Sequence, residues 1–293
     1  MITPPGAHGG DGVAVATSLG LDPTQILDLS ATLNPFAPDL APLLARHAHT
    51  VRHYPDPTSA TRALADAIGV EPRRLLITNG GSEAITLVAR ELGGAVASEP
   101  EFSLHPRMPA GPVWRSDPHS PTGRLAVASE VAGVWDEAFY ALATGRWTAG
   151  RDGAVVVGSL TKLFACPGLR LGYVIADDID RFARHQPEWS VGSLALAVLG
   201  DLLAVADLPG WATAIADHRR QLAALLLGHG LVATASDAPW ILVEAPGLRA
   251  RLAPRGVIVR DCASFGLSGH ARIAVPDERG LARLVIALEQ STP

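Results

Sequence analysis

Ser159-Leu160-Thr161-Lys162-Leu163-Phe164-Ala165-Cys166-Pro167-Gly168-Leu169-Arg170 holds the one lysine in a chain of 293 residues; the other 23 of its 24 basic residues are arginine. Coding drift toward arginine in a GC-rich genome accounts for the scarcity, and a chance survivor is the plain reading of a lone lysine. Chemistry gives the other reading. An arginine guanidinium stays protonated and cannot form an imine, whereas a partly desolvated lysine amine can. Just before this stretch, residues 154–157 are strongly β-branched and read as a buried strand; just after it, residues 171–175 read as another.

Further out, strands alternate with helices. Residues 75–78 form a short apolar strand that runs into Asn79-Gly80-Gly81-Ser82 and then a helix over 83–91. Strands are predicted at 94–97 and 131–135, and a helix follows Pro57 to Ile68, with Thr58 or Ser59 as cap. Helical patterning sets in at Ile179, and residues 211–227 form an amphipathic helix stopped by Gly228 and Gly230. The tail reads strand (240–244), short helix (246–252), strands (257–259 and 271–275) and helix (278–289). The alternation predicts an α/β fold with a mainly parallel sheet and a smaller α+β unit. The expected division is an arm over 1–40 with one short helix near 11–19, a large domain over 41–205 and a small domain over 206–293.

Composition excludes several classes. The formal charge is −5 and no basic run is present, which argues against a nucleic-acid surface. The apolar stretch 191–205 is broken by Gly200 and Asp201, which argues against a membrane span. Met1-Ile2-Thr3-Pro4-Pro5 has no signal-peptide pattern, and two cysteines, Cys166 and Cys262, make no disulfide framework, so the expected setting is the cytoplasm. No Cys/His spacing suggests a metal site.

Three features converge on one kind of ligand. Gly80-Gly81-Ser82 lies between a strand and a helix, where backbone N–H groups bind phosphate; a tight turn is the alternative. Asp136 closes a strand in Trp135-Asp136-Glu137-Ala138-Phe139, at the carboxyl end where α/β ligands bind, or else it caps the next helix. Arg170 carries a fork that matches phosphate oxygens, or else a surface ion pair.

Ser159-Leu160-Thr161-Lys162 with Arg170 resembles the signature of fold-type I pyridoxal-phosphate enzymes. So do Asp136-Glu137-Ala138-Phe139 and Asp117-Pro118-His119-Ser120-Pro121-Thr122-Gly123, which is similar to an Asn-Pro-Asn-Asn-Pro-Thr-Gly loop. Further stretches resemble the threonine-phosphate decarboxylases of cobalamin biosynthesis: His8-Gly9-Gly10-Asp11, Asp28-Leu29-Ser30-Ala31-Thr32-Leu33-Asn34-Pro35, Arg52-His53-Tyr54-Pro55, Gln186-Pro187-Glu188-Trp189-Ser190-Val191, and the segments around Arg260 and Arg272.

The resemblance implies roles. Lys162 carries the imine with pyridoxal 5'-phosphate, and Asp136 pairs with its pyridine nitrogen. Phe102 stacks on the ring; a core aromatic is the alternative. Gly80, Gly81, Ser82, Ser159 and Arg170 form the phosphate cup, and Ser120 lies near the phenolic oxygen. Tyr54 reaches the cofactor of a second subunit, implying a homodimer with shared sites. Arg272 takes the substrate carboxylate, while Arg260, His8, Gly9 and Asn34 surround the substrate's phosphate or carboxylate. The implied reaction is decarboxylation of O-phospho-L-threonine to aminopropanol phosphate. An aminotransferase of the histidinol-phosphate type is the alternative, and a non-catalytic cofactor-binding protein is a second one.

Two departures stand out. Ser120 replaces asparagine, and Phe139 stands where many aminotransferases have tyrosine; with fewer donors to the phenolate, the imine proton is expected to be held more tightly. Only 14 residues separate Phe102 from Asp117 and only 12 separate Gly123 from Asp136. The large domain is therefore expected to be trimmed, with a sheet edge that needs cover. Residues 106–115 show little strand or helix signal.

Overall fold

The computed structural model describes residue 6 and residues 8–291. Among the described residues ten strands form two sheets: β1 (Leu27–Leu29), β2 (Leu75–Asn79), β3 (Ala95–Val96), β4 (Val113–Ser116), β5 (Val134–Asp136), β6 (Val155–Ser159), β7 (Leu171–Ile175), β8 (Trp240–Glu244), β9 (Val257–Asp261) and β10 (His270–Ala274). The larger sheet has the order β2-β7-β6-β5-β4-β3, and the smaller β1-β9-β10-β8.

The large sheet is parallel from β3 through β6. β7 runs antiparallel to both β6 and β2. The reason lies in the stretch 160–170. It holds one helical turn, Leu160–Leu163, and then a loop, with no crossover helix to carry the chain back across the sheet. A consequence matters for chemistry: Lys162 and Arg170 emerge at the same edge, past the end of β6 and just before β7.

Strand residues alternate between two covered faces. Trp135, Val156, Leu171, Tyr173 and Ile175 pack with Leu64, Ile68 and Leu199 from the helices Thr58–Ile68 and Ser193–Ala204. Val134, Val157 and Val174 face the other way, onto Ala84, Ile85 and Val88 of the helix Gly80–Leu92. Burial on both faces explains why these strands read as continuous apolar runs. The long helix Leu208–Gly228 leaves this core and sends Leu222 and Leu226 into a separate one beneath the small sheet, with Ile241, Val259, Ile273 and Leu284. Among the described residues no single helix is long and apolar enough to cross a membrane.

Several elements depart from the sequence expectation. Residues 106–115 were expected to lack structure, yet Val113–Ser116 is an interior strand with Trp114 fully buried. The arm holds a strand as well as a helix, β1 pairing in parallel with β9. The helix after β2 starts at Gly80, three residues before the expected position. The edge expected to need cover is only two residues long. Its cover comes from the chain itself: Ala95 bridges to Arg107, and Met108 N donates to Gly94 O at 2.9 Å.

Candidate active site

The carboxyl ends of β4, β5 and β6 open onto a cavity of about 340 Å³. This is where ligands bind in α/β sheets and a common size for a small-molecule site. Its wall includes His8, Gly9, Gly81, Ser82, Phe102, Ser120, Asp136, Ser159, Lys162, Arg170, Arg260 and Arg272. Residues from the arm, both sheets and the helix Gly80–Leu92 thus meet at one place.

One end is built for an anion. The helix Gly80–Leu92 points its N-terminus at the cavity. Arg170 donates from Nη2 to Ser82 Oγ at 2.8 Å, and Ser159 lies opposite on β6. Gly80 sits at φ +75°, and a Cβ there would come within 2.4 Å of the Arg170 guanidinium, so close packing of the arginine requires glycine. Helix N–H groups, two hydroxyls and a guanidinium form a donor set that suits a phosphate.

Lys162 stands at the centre. Burial pulls its amine down to about 8, assisted by Arg272, Arg170 and Arg260 and opposed by Asp136. The backbone around it is clamped: Asn34 N donates to Lys162 O at 3.0 Å, and Asn34 Nδ2 to Leu163 O at 2.9 Å. Asn34 is buried and does not line the cavity, because its amide is used in holding the lysine segment.

Beyond Lys162, Asp136 is held by a residue that sequence reading did not single out. His105 Nε2 lies 3.0 Å from Asp136 Oδ2, and the imidazole is buried against Phe102 and Trp114. Glu101, also buried, accepts from Ser116 N at 3.0 Å and Phe102 N at 2.8 Å. No local pattern in the sequence marks this pair, because its members lie 31 residues apart and only the fold joins them.

The other end is cationic. Arg260 and Arg272 are opposite one another on β9 and β10. Both are buried, and both lie over aromatic rings, Arg260 at 4.4 Å from the Phe265 centroid and Arg272 at 4.8 Å from that of Trp240. Burial lowers the proton affinity of each, and Arg260 lowers that of Arg272 further. Among the described residues Arg272 makes no ion pair with a carboxylate of the chain. A desolvated guanidinium so placed suits an anionic ligand.

The arm closes this end. Gly9 packs so tightly on β1's exit that a Cβ would lie 1.9 Å from Ser30 O. Gly10 N donates to Ser30 Oγ at 2.9 Å, and Arg249 Nη2 donates to Asp11 Oδ2 at 2.6 Å. Arg249 is buried and also reaches Val259 O on β9 at 3.0 Å. The anchor leaves His8 facing the cavity, 5.8 Å from the Phe102 ring, with its basicity lowered by burial and by Arg260 and Lys162.

Tyr54 is elsewhere. It is 79% exposed, its ring centroid 4.6 Å from that of the exposed Trp189 in a tilted contact, and it contributes nothing to the cavity of its own chain. Gly80 lies behind the wall, under Arg170. Ser120 and Phe139 line the cavity, the latter edge-on to Trp240. The described residues hold no group of histidine, cysteine and carboxylate side chains arranged for a metal ion.

Residues 113–288 match the family model for aminotransferase class I and II. The chain is 30% identical to a threonine-phosphate decarboxylase of Salmonella typhimurium, over 96% of this chain and 95% of that protein. It is 28% identical to a histidinol-phosphate aminotransferase of Halorubrum lacusprofundi, over 94% and 92% respectively. Both alignments, of 353 and 341 positions, exceed the chain's 293 residues, so the relatives carry segments that it lacks. The fold matches that of the Sinorhizobium meliloti histidinol-phosphate aminotransferase in complex with pyridoxal-5'-phosphate, with a TM-score of 0.81, 17% identity, and 99% of this chain and 95% of that one covered.

Proposed function

We propose a reaction from one premise: the chain belongs to the aminotransferase class I and II family, and its cofactor is pyridoxal phosphate. The proposed activity is decarboxylation of O-phospho-L-threonine to aminopropanol phosphate, serving cobalamin biosynthesis in the cytoplasm. The carrying observation is the pair of buried guanidiniums, Arg260 and Arg272, at the end of the cavity away from Ser82 and Arg170. A substrate that brings a carboxylate and a phosphate together matches that excess of positive charge.

The residues divide the work. Gly81, Ser82, Ser159 and Arg170 would hold the cofactor phosphate, Phe102 the ring face and Asp136 the ring nitrogen. Bound there, the cofactor supplies an aldehyde for amines and a ring that takes up an electron pair. Lys162, with its amine near 8, is neutral often enough at neutral pH to act as nucleophile and then to move a proton at the substrate's α-carbon. Arg260 and Arg272 would fix the carboxylate's direction, which decides whether carbon dioxide or a proton leaves. His8 and Gly9, held by the Asp11–Arg249 anchor, would cover the substrate and exclude water. Tyr54 would complete the site of a second copy in a homodimer.

The histidinol-phosphate type of aminotransferase is the second reading, favoured by relatives such as that of Halorubrum lacusprofundi. One experiment separates the two. Cofactor-loaded protein is incubated with O-phospho-L-threonine, and carbon dioxide and aminopropanol phosphate are followed by mass spectrometry with Lys162→Ala as control. Both products, absent in the variant, are the expected result. Conversion of the cofactor to its amine form without carbon dioxide would transfer the assignment to the aminotransferase.

A further inference from the structure

We propose that Arg151 is a positioning residue, whose guanidinium latches the 117–123 segment onto the floor of the cofactor cavity by neutralising Asp117. The proposal rests on the cofactor contacts assigned above to Ser120 and Asp136, and not on which reaction follows.

Arg151 lies outside the cavity, in the turn that leads into β6. Its Nε donates to Glu137 Oε1 at 2.6 Å, its Nη2 donates to Asp117 Oδ2, and its plane lies 3.7 Å from the Trp135 ring centroid. Each acid belongs to a segment that forms the site. Asp117 follows β4 and precedes the cavity residues Pro118 and Ser120. Glu137 is next to Asp136 at the end of β5, and its N–H donates to Val157 O of β6 at 2.8 Å. Asp117 N–H donates in turn to Asp136 O at 2.8 Å. One guanidinium therefore spans the exits of β4 and β5 and the entry to β6.

The charge balance makes this more than a tether. The side chains of Glu137 and Asp117 are 1% and 4% exposed. Two carboxylates so placed require a cation, and among the described residues Arg151 is the one that pairs with either. Burial raises the proton affinity of Glu137, and a hydrogen bond from Thr148 and then the charge of Arg151 oppose that rise. Asp117 spends its other oxygen on Ala126 N at 2.9 Å, which fixes the far end of the same loop. The loop that this segment resembles begins with asparagine, which carries no charge and needs no counter-ion. Here the loop is secured by a charge, and the arginine is its counterpart. Lysine would not replace it, because a point charge cannot serve two carboxylates in a fixed fork and stack on an indole at once.

A double-mutant cycle on cofactor binding tests the latch. Arg151→Gln, Asp117→Asn and the double variant are compared with the parent by the dissociation constant of pyridoxal phosphate and by circular dichroism of the cofactor's visible band. The expected results are a loss of about tenfold or more in affinity and a collapse of the visible dichroism for Arg151→Gln. Asp117→Asn should lose less than about threefold, and the double variant, which still leaves Glu137 without its cation, should regain about threefold or more over Arg151→Gln, with its visible dichroism partly restored. If Arg151→Gln does not fold but the double variant folds and binds, the latch is supported equally. Parental affinity and dichroism in Arg151→Gln, or a double variant as weak as the single one, would overturn it. None of these readouts depends on turnover, so failure here is distinct from failure of the decarboxylase assignment.

Discussion

The end of the cavity at the N-terminus of the helix Gly80–Leu92 draws Gly81, Ser82, Ser159, Lys162 and Arg170 from one sheet and that helix. The opposite end draws His8 from the arm and Arg260 and Arg272 from the small sheet. The first group lies at the end of β6, in the turn that leads to β7 and at the start of the helix Gly80–Leu92, all packed on strands buried on both faces. The second is assembled from segments at the two extremes of the chain, joined by β1 pairing with β9 and by the Asp11–Arg249 contact. The lesson is a division of roles. On the roles proposed above, groups that any reaction of the cofactor needs belong to the large sheet and its helix, and groups that choose the substrate belong to the small sheet and the arm.

That division can be broken or sharpened by substitution. The largest effect belongs to Lys162→Ala, which should lower turnover by about 10³-fold or more while leaving the fold intact, as seen in a thermal melt. Next comes Arg272→Ala. It should lower kcat/KM by about 30-fold or more with little change in cofactor affinity, because it removes one partner of a buried charge interaction with substrate. Arg170→Ala should do the reverse, weakening cofactor affinity by about 10–100-fold, as for lost charge-assisted hydrogen bonds. If both variants lost cofactor alike, the two ends would act as one and the comparison would fail. A smaller effect is expected for Asp11→Asn, which loosens the arm: KM should rise about 3–10-fold with kcat nearly unchanged.

The smallest effect is a shift along the pH axis. Lys162 is held near 8 by burial and neighbouring cations, and in the proposed role only its neutral form would be nucleophilic. The rate of cofactor capture by cofactor-free protein should therefore rise with pH through a midpoint of about 8, well below the ordinary range of a lysine. Arg272→Ala removes one of the cations that disfavour the charged amine, so the midpoint should move up. Stopped-flow absorbance across pH 6–10 would check both, and an unchanged midpoint in the variant would mean that the two ends are electrostatically independent.

Legibility in the sequence followed the same line. Gly80-Gly81-Ser82, Asp136 and Ser159 to Arg170 could be read because each sits where a strand ends, in a local pattern a few residues long. Val113–Ser116 was missed, since four residues after a stretch rich in proline and glycine carry no period, and only β5 beside it and β3 beyond make them an interior strand. β1 was missed for the same reason, its partner Val257–Val259 lying at the far end of the chain. Asn34 was assigned to the substrate by resemblance; the fold uses its amide on the carbonyl of Leu163 instead. His105 and Arg151 gave no local signal, because what defines them is the buried carboxylate each one meets.

By itself the sequence pointed to the family chemistry through a resemblance, carried by one lysine in a strand–turn–strand stretch, an acid at a strand's end and a glycine turn before a helix. These are short-range statements, and local backbone preference and side-chain type are enough to make them. Tertiary structure decided which charges face one another. It set Arg260 beside Arg272, placed His8 over the cavity and gave Arg151 two buried acids to hold. Electrostatic energy depends on separation in space and on distance from water, and a linear order of residues specifies neither.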